Sequence, residues 1–266
     1  MRPTTFIADP DDPRVEGYRD LRERDLRGRE GLFVAEGTVI LRALLDARAF
    51  EPVSVLVLEN RVEGIAELIG RVPPDVPVYV ADRAVIDRVA GFPMHRGVLA
   101  LAKRTREPSL DGLLAGPPHR LLVGIEIANH DNVGAMLRAG AAFGVGAVLF
   151  DERSADPLYR KAIRTSAGAA LRLPHRHGDA SASLLDRVED AGLQPLALSP
   201  NGEHDVRDID PHQPLALVMG AEGPGLSTDV LKRCRTARIA MAEGHDSLNV
   251  ATAAAIALHA LSARDG

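Results

Sequence analysis

From Leu121 onward the sequence alternates short apolar runs with helical segments, and this alternation narrows the fold more than any other feature. Leu121–Ile127, Ala147–Phe150, Leu196–Leu198, Leu215–Met219 and Arg238–Met241 read as strands. Val133–Phe143, Leu158–Ala170, Ser183–Ala191, a segment from Thr228, and Ser247–Leu261 read as helices. Strands that are apolar at successive positions are buried on both faces. In an alternating chain that means a parallel sheet with helices on each side, an α/β/α domain.

The first half alternates on a smaller scale. Phe33–Gly37 leads into a helix over Val39–Asp46. Val53–Leu58, Val76–Val80 and Gly97–Ala102 are strands, with helices at Ile65–Ile69 and Arg83–Ala90. A small α/β domain is expected. Glu107-Pro108, Gly112, Gly116 and Pro117-Pro118 mark a linker, so the boundary falls near Ser109 and the domains are residues 1–108 and 109–266. Arg19–Glu30 alternates charge signs and reads as an exposed helix, either a solvated face or one that touches phosphates.

Composition excludes several classes. The 266 residues are 45% hydrophobic and 26% charged, enough for a full core without staples. Cys234 is the single cysteine, so no internal disulfide can form and a reducing, cytoplasmic compartment is expected. The apolar run Val250–Leu261 is shorter than the about 20 residues a membrane helix needs, and Met1–Asp12 lacks an apolar leader core. A net charge of −5 argues against coating nucleic acid by charge alone, and 3% aromatic residues with no tryptophan argue against a base-stacking platform.

Three segments carry candidate chemistry, each after a strand. In Asn129-His130-Asp131-Asn132-Val133-Gly134-Ala135-Met136-Leu137-Arg138, Asn132 suits a helix N-cap, and Val133, Met136, Leu137, Gly140 and Ala141 form a buried stripe. Arg138 lies about 130° off that stripe, toward a cleft or solvent. In Gly220-Ala221-Glu222-Gly223-Pro224-Gly225-Leu226-Ser227, the glycines allow close backbone approach to a ligand, or simply a tight turn capped by Ser227. The spacing is neither a dinucleotide fingerprint nor a P-loop, so a Rossmann dehydrogenase is excluded. In Ile239-Ala240-Met241 through Ser247-Leu248-Asn249-Val250, a loop enters a buried helix, with Asp246 or Ser247 as the plain cap.

In this order the three segments resemble the motifs of the SpoU (TrmH-like) family of RNA 2′-O-ribose methyltransferases. Ala155-Asp156-Pro157 and Arg164-Thr165-Ser166-Ala167-Gly168 resemble the family's helix and Ser-x-Gly turn. Phe33-Val34-Ala35-Glu36-Gly37 and His95-Arg96-Gly97-Val98 resemble its L30e-like RNA-binding accessory domain. The architecture is similar to 23S rRNA and thiostrepton-resistance methyltransferases. The resemblance implies a SPOUT-type C-terminal domain with a deep trefoil knot, and a homodimer formed through that domain. It implies S-adenosylmethionine held at Gly220, Gly225, Ile239, Met241 and Leu248, with no metal. Arg138, Asn132, Glu222, Ser247 and Asn249 would serve catalysis, on RNA, with rRNA favoured over tRNA. Two departures stand out: relatives often carry Asn-Pro where this chain has Asn129-His130, and proline where it has Ala240. Both imply altered loop rigidity rather than lost activity. A non-catalytic RNA-binding or ribosome-assembly module is the alternative function; the intact Arg138, Glu222 and Asn249 argue against it. The related knotted guanine N1-methyltransferases lack this set.

Overall fold

The computed structural model describes residues 2–19, 31–115, 120–245 and 247–262. Most of the charged segment Arg19–Glu30, the linker residues 116–119 and Asp246 lie outside the described residues. Along the first part run β1 (Thr5–Ile7), β2 (Leu32–Glu36), α1 (Thr38–Asp46), β3 (Phe50–Leu58), α2 (Ala66–Gly70), β4 (Val78–Ala81), α3 (Arg83–Ala90) and β5 (Val98–Arg104). Then follow α4 (Leu110–Leu114), β6 (Arg120–Gly124), α5 (His130–Ala142), β7 (Ala147–Asp151) and α6 (Arg160–Thr165). The chain ends with β8 (His175–Asp179), α7 (Ser181–Asp190), β9 (Gln194–Leu198), β10 (His204–Asp205), β11 (Leu215–Met219), α8 (Thr228–Arg233), β12 (Arg235–Arg238) and α9 (Val250–Ala260).

Two compact units result. The first holds residues 1–107 and also 158–172. Its sheet has the order β1-β4-β3-β5-β2, parallel at β1, β4 and β3 and antiparallel at β5 and β2. Where β3 bulges between Pro52 and Ser54, the buried Tyr18 hydroxyl lies 2.6 Å from Ser54 Oγ and accepts from the Leu101 amide at 3.3 Å. That pairing satisfies polar groups the bulge would otherwise leave buried and unmet. A single boundary near Ser109 does not capture residues 158–172. Arg160 donates to the buried Glu36 carboxylate at 2.5 Å and lies over the Phe92 ring, while Ala162, Ile163 and Ala170 are buried. The helix expected over Leu158–Ala170 is broken: Ala167 and Gly168 adopt positive φ, and Ser166 Oγ donates to Ile163 O at 2.7 Å and accepts from Ala170 N.

The second unit holds residues 108–157 and 173–266. Its sheet has the order β10-β12-β9-β11-β6-β7-β8, and every pairing is parallel. One face carries Leu121, Val123, Leu149 and Val218 against Leu184, Leu185 and Val188 of α7 and Val230 of α8. On the other face α5 brings Gly140 to Val148. The strands β6 and β11 pair in the centre, as their unbroken burial requires. The order is not sequential. The strand β12 lies between β9 and β10, so the connection 199–203 joining those two strands crosses β12. Gly202 rests on the Ala237 backbone with no room for a Cβ.

Some expected boundaries move. The strand β6 stops at Gly124 because Glu126 takes a left-handed φ of 58°. The strand expected at Arg238–Met241 lies at Arg235–Arg238, which leaves Ile239 and Met241 in the loop beyond it. The helix α9 begins at Val250 rather than Ser247. Ala141 is exposed, off the buried stripe of α5. No described helix is long and apolar enough to cross a membrane.

Candidate active site

The helix α5 starts earlier than its apolar pattern suggests. Asn129, not Asn132, is its N-cap, accepting from the Asp131 amide at 2.9 Å. His130 is thus the first helical residue, where proline would also be tolerated, so the exchange leaves the helix start intact. Asn132 falls inside the first turn and is only 5% exposed. A buried carboxamide there needs partners, and it finds them in the other two motifs. Asn132 Nδ2 donates to Glu222 Oε1 at 2.6 Å, and its Oδ1 accepts from Asn249 Nδ2 at 3.0 Å. Asn249 Nδ2 also donates to Glu222 Oε1 at 3.1 Å. The other end of Asn249 caps α9, accepting from the Ala251 and Thr252 amides at 3.0 and 3.2 Å. One carboxylate thereby ties α5, the loop after β11 and the start of α9 together.

Beside this cluster, at the C-terminal ends of β9 and β11, opens a cleft of about 630 Å³. Parallel sheets place ligands in that position, and the size falls in the range of about 300–1,000 Å³ usual for small-molecule sites. Gly220, Gly225, Ile239, Met241 and Leu248 all line it, as do Glu222, Ser247 and Asn249. Gly220 is buried, and a Cβ there would lie 2.6 Å from the backbone of both Gly225 and Leu226. The loop closes on itself through an Ala221–Gly225 bridge. The lining mixes apolar side chains with open loop backbone, which suits a flat heteroaromatic ring whose polar edge is met by amides and carbonyls. Leu198, Ser199, Pro200 and Asn201 also line it and were not singled out from the sequence. Their signal was available: Leu198 ends a parallel strand, and Ser199, Pro200 and Asn201 follow it in a loop rich in turn residues.

Arg138 is not part of this constellation. It is exposed on α5, about 9 Å along the axis from Asn132 and about 120° around it. It makes no hydrogen bond or ion pair among the described residues. Among those residues no group of three or more His, Cys, Asp or Glu could hold a metal ion.

The sequence profile of the SpoU rRNA Methylase family matches residues 119–259, spanning all three motifs. The chain belongs to the SpoU rRNA methylase family. A tRNA/rRNA methyltransferase of Mycobacterium bovis is 38% identical over 263 residues, covering 95% of this chain and 90% of the relative. The chain is also similar to a solved RNA 2′-O ribose methyltransferase, at 26% identity and TM-score 0.81 over 97% of this chain and 98% of that one. An AdoMet-bound rRNA methyltransferase from Sinorhizobium meliloti shares the fold, at 23% identity and TM-score 0.82 over 97% of each chain. The Asn132–Glu222–Asn249 cluster and its cleft thus belong to a SpoU-family RNA methyltransferase.

Proposed function

We propose that this SpoU-family enzyme methylates ribose 2′-oxygens in structured RNA, with rRNA the favoured substrate, using S-adenosylmethionine held in the cleft. The observation that carries the reading is the convergence of all three motifs on one hydrogen-bonded cluster at the cleft rim. When bound, the cofactor supplies an electrophilic methyl group on a sulfonium that departs as a neutral thioether. The backbone around Gly220 and Gly225, with Ile239, Met241 and Leu248, would hold it. Asn132, Glu222 and Asn249 keep the walls together, and Ser247 would face the bound cofactor from the lining. What is left to the protein is to orient the ribose hydroxyl and steady its oxygen as its proton passes to solvent water. Arg138 suits the second task. A guanidinium offers donors and no acceptor, so it would serve as a charged donor to the developing alkoxide rather than as a base.

Arg138 lies away from the cluster, so we place it toward a site completed by a second copy of the chain. The outer side of α9 supports a homodimer: Ile256 is 40% exposed there. The crossing of β12 by the connection 199–203 supports a knotted backbone. Residues 1–108 are the proposed RNA-binding domain. In their compact unit, residues 158–172 add Lys161, Arg164 and Arg172 with no acidic residue, besides the Arg160 that Glu36 neutralises, which suits phosphates despite the acidic chain.

Calorimetry of the full chain with S-adenosylmethionine in the presence of a chelator tests the cofactor assignment. One site per protomer, unaffected by chelator, is expected. Binding that requires a divalent ion would overturn it.

A further inference from the structure

One wall of the cleft is a connection rather than a helix or strand. Ser199, Pro200 and Asn201 line the cleft beside Leu198 at the end of β9, and they belong to the segment that leaves β9 and crosses β12 to reach β10. Apart from Gly202, which rests on the Ala237 backbone, hydrogen bonds to β12 and its end anchor this connection and decide where the wall stands. The Ser199 amide donates to Ala237 O at 2.9 Å, and the Glu203 amide donates to Thr236 Oγ1 at 3.0 Å. The third anchor is Arg238. Its Nη1 donates to both Gly202 O and Glu203 O, each at 2.7 Å. Both protons of that nitrogen are thus directed at the crossing connection. Arg238 is itself exposed and does not line the cleft. The next residue in the chain, Ile239, does. Arg238 therefore joins two parts of the lining: its backbone leads into Ile239 and Met241, and its side chain holds the far end of the Ser199–Asn201 wall.

We propose that Arg238 is a positioning residue for S-adenosylmethionine, clamping the 199–203 connection over β12 so that this wall keeps its distance from Ile239 and Met241. The proposal rests on the reading that the cleft holds that cofactor. A charge-assisted bond to a carbonyl is stronger than a neutral one. The two carbonyls would otherwise be met by water, which holds no fixed position. The clamp therefore acts chiefly on the geometry of the wall, and much less on the stability of the fold, as expected of an exposed arginine.

The test uses the full-length protein, with Arg238→Met and Arg238→Lys beside the wild type. S-adenosylhomocysteine affinity is measured by calorimetry, and hydrogen exchange is followed at the amides of residues 199–203. Arg238→Met should weaken binding roughly tenfold, the scale of one net hydrogen bond to a charged group. Cofactor KM should rise by the same factor while kcat at saturating cofactor holds, and exchange at the connection should quicken. Arg238→Lys should lose roughly threefold, since one ammonium on a flexible stem reproduces the fork only in part. Wild-type affinity in Arg238→Met overturns the proposal, with or without a lower melting temperature. Should Arg238→Met fail to fold, wild-type affinity in Arg238→Lys overturns it. Absence of binding by the wild type instead removes the reading of the cleft, and the proposal with it.

Discussion

A single carboxylate, Glu222, accepts from two carboxamides, and this explains why residues 132 and 249 are asparagines rather than aspartates. Asn249 needs a donor end for Asn132 and Glu222 and an acceptor end for the first amides of α9, and only a carboxamide offers both. Asn249→Asp keeps the cap but sets a second carboxylate against Glu222. We expect it to lower stability by roughly 1–3 kcal/mol, the cost of leaving polar partners unmet, and to weaken cofactor binding. Thermal melting and calorimetry read both, and a variant as stable and as tight as wild type would contradict the role given to the cluster. Arg138 makes the opposite prediction. It is exposed and unpaired among the described residues, so Arg138→Ala should change stability by no more than roughly 0.5 kcal/mol. Single-turnover methyl transfer should fall by about 100-fold or more, with little rescue by lysine. Near wild-type transfer would remove Arg138 from the reaction. Its exposed helix face was legible in the sequence. The partners of Asn132 were not, because they come from residues 90 and 117 positions away.

At the scale of elements, long apolar segments were legible and short polar ones were not. The strand β11, Ala147–Phe150 of β7 and the second half of β3, Val55–Leu58, announce themselves by unbroken apolar runs. The strand β8, His175-Arg176-His177-Gly178-Asp179, carries no such run; it is an edge strand, and its polar side chains suit an unpaired edge. The strands β1 and β10 are too short to show a period. Residues 158–172 carry a helix signal, but nothing local says which unit they pack with. Their burial in the first unit leads to a prediction. A fragment of residues 108–266 strips the partners from Ile163, Ala169, Ala170 and Leu171. Exposing Ile163 alone costs about 2 kcal/mol. Limited proteolysis should then cut the fragment within 158–172 at sites protected in the full chain. Equal protection in both would show that the segment does not depend on residues 1–107.

At the scale of the whole molecule, the reaction proposed above draws on two copies of the chain. The charge substitution Ile256→Glu on the outer side of α9 should shift the protein to monomer in light scattering and reduce methyl transfer, while each chain stays folded by circular dichroism. A stable dimer in that variant would place the interface elsewhere. The central claim is the chemistry, and it can be read from the product. The full chain is incubated with methyl-labelled S-adenosylmethionine and rRNA from cells lacking the gene, and the RNA is then hydrolysed with alkali. A 2′-O-methyl group blocks attack on the neighbouring phosphodiester. The label should therefore appear in alkali-resistant dinucleotides and, after full digestion, in a ribose-methylated nucleoside. Label confined to base-methylated mononucleotides, from a preparation that binds the cofactor, would contradict the account.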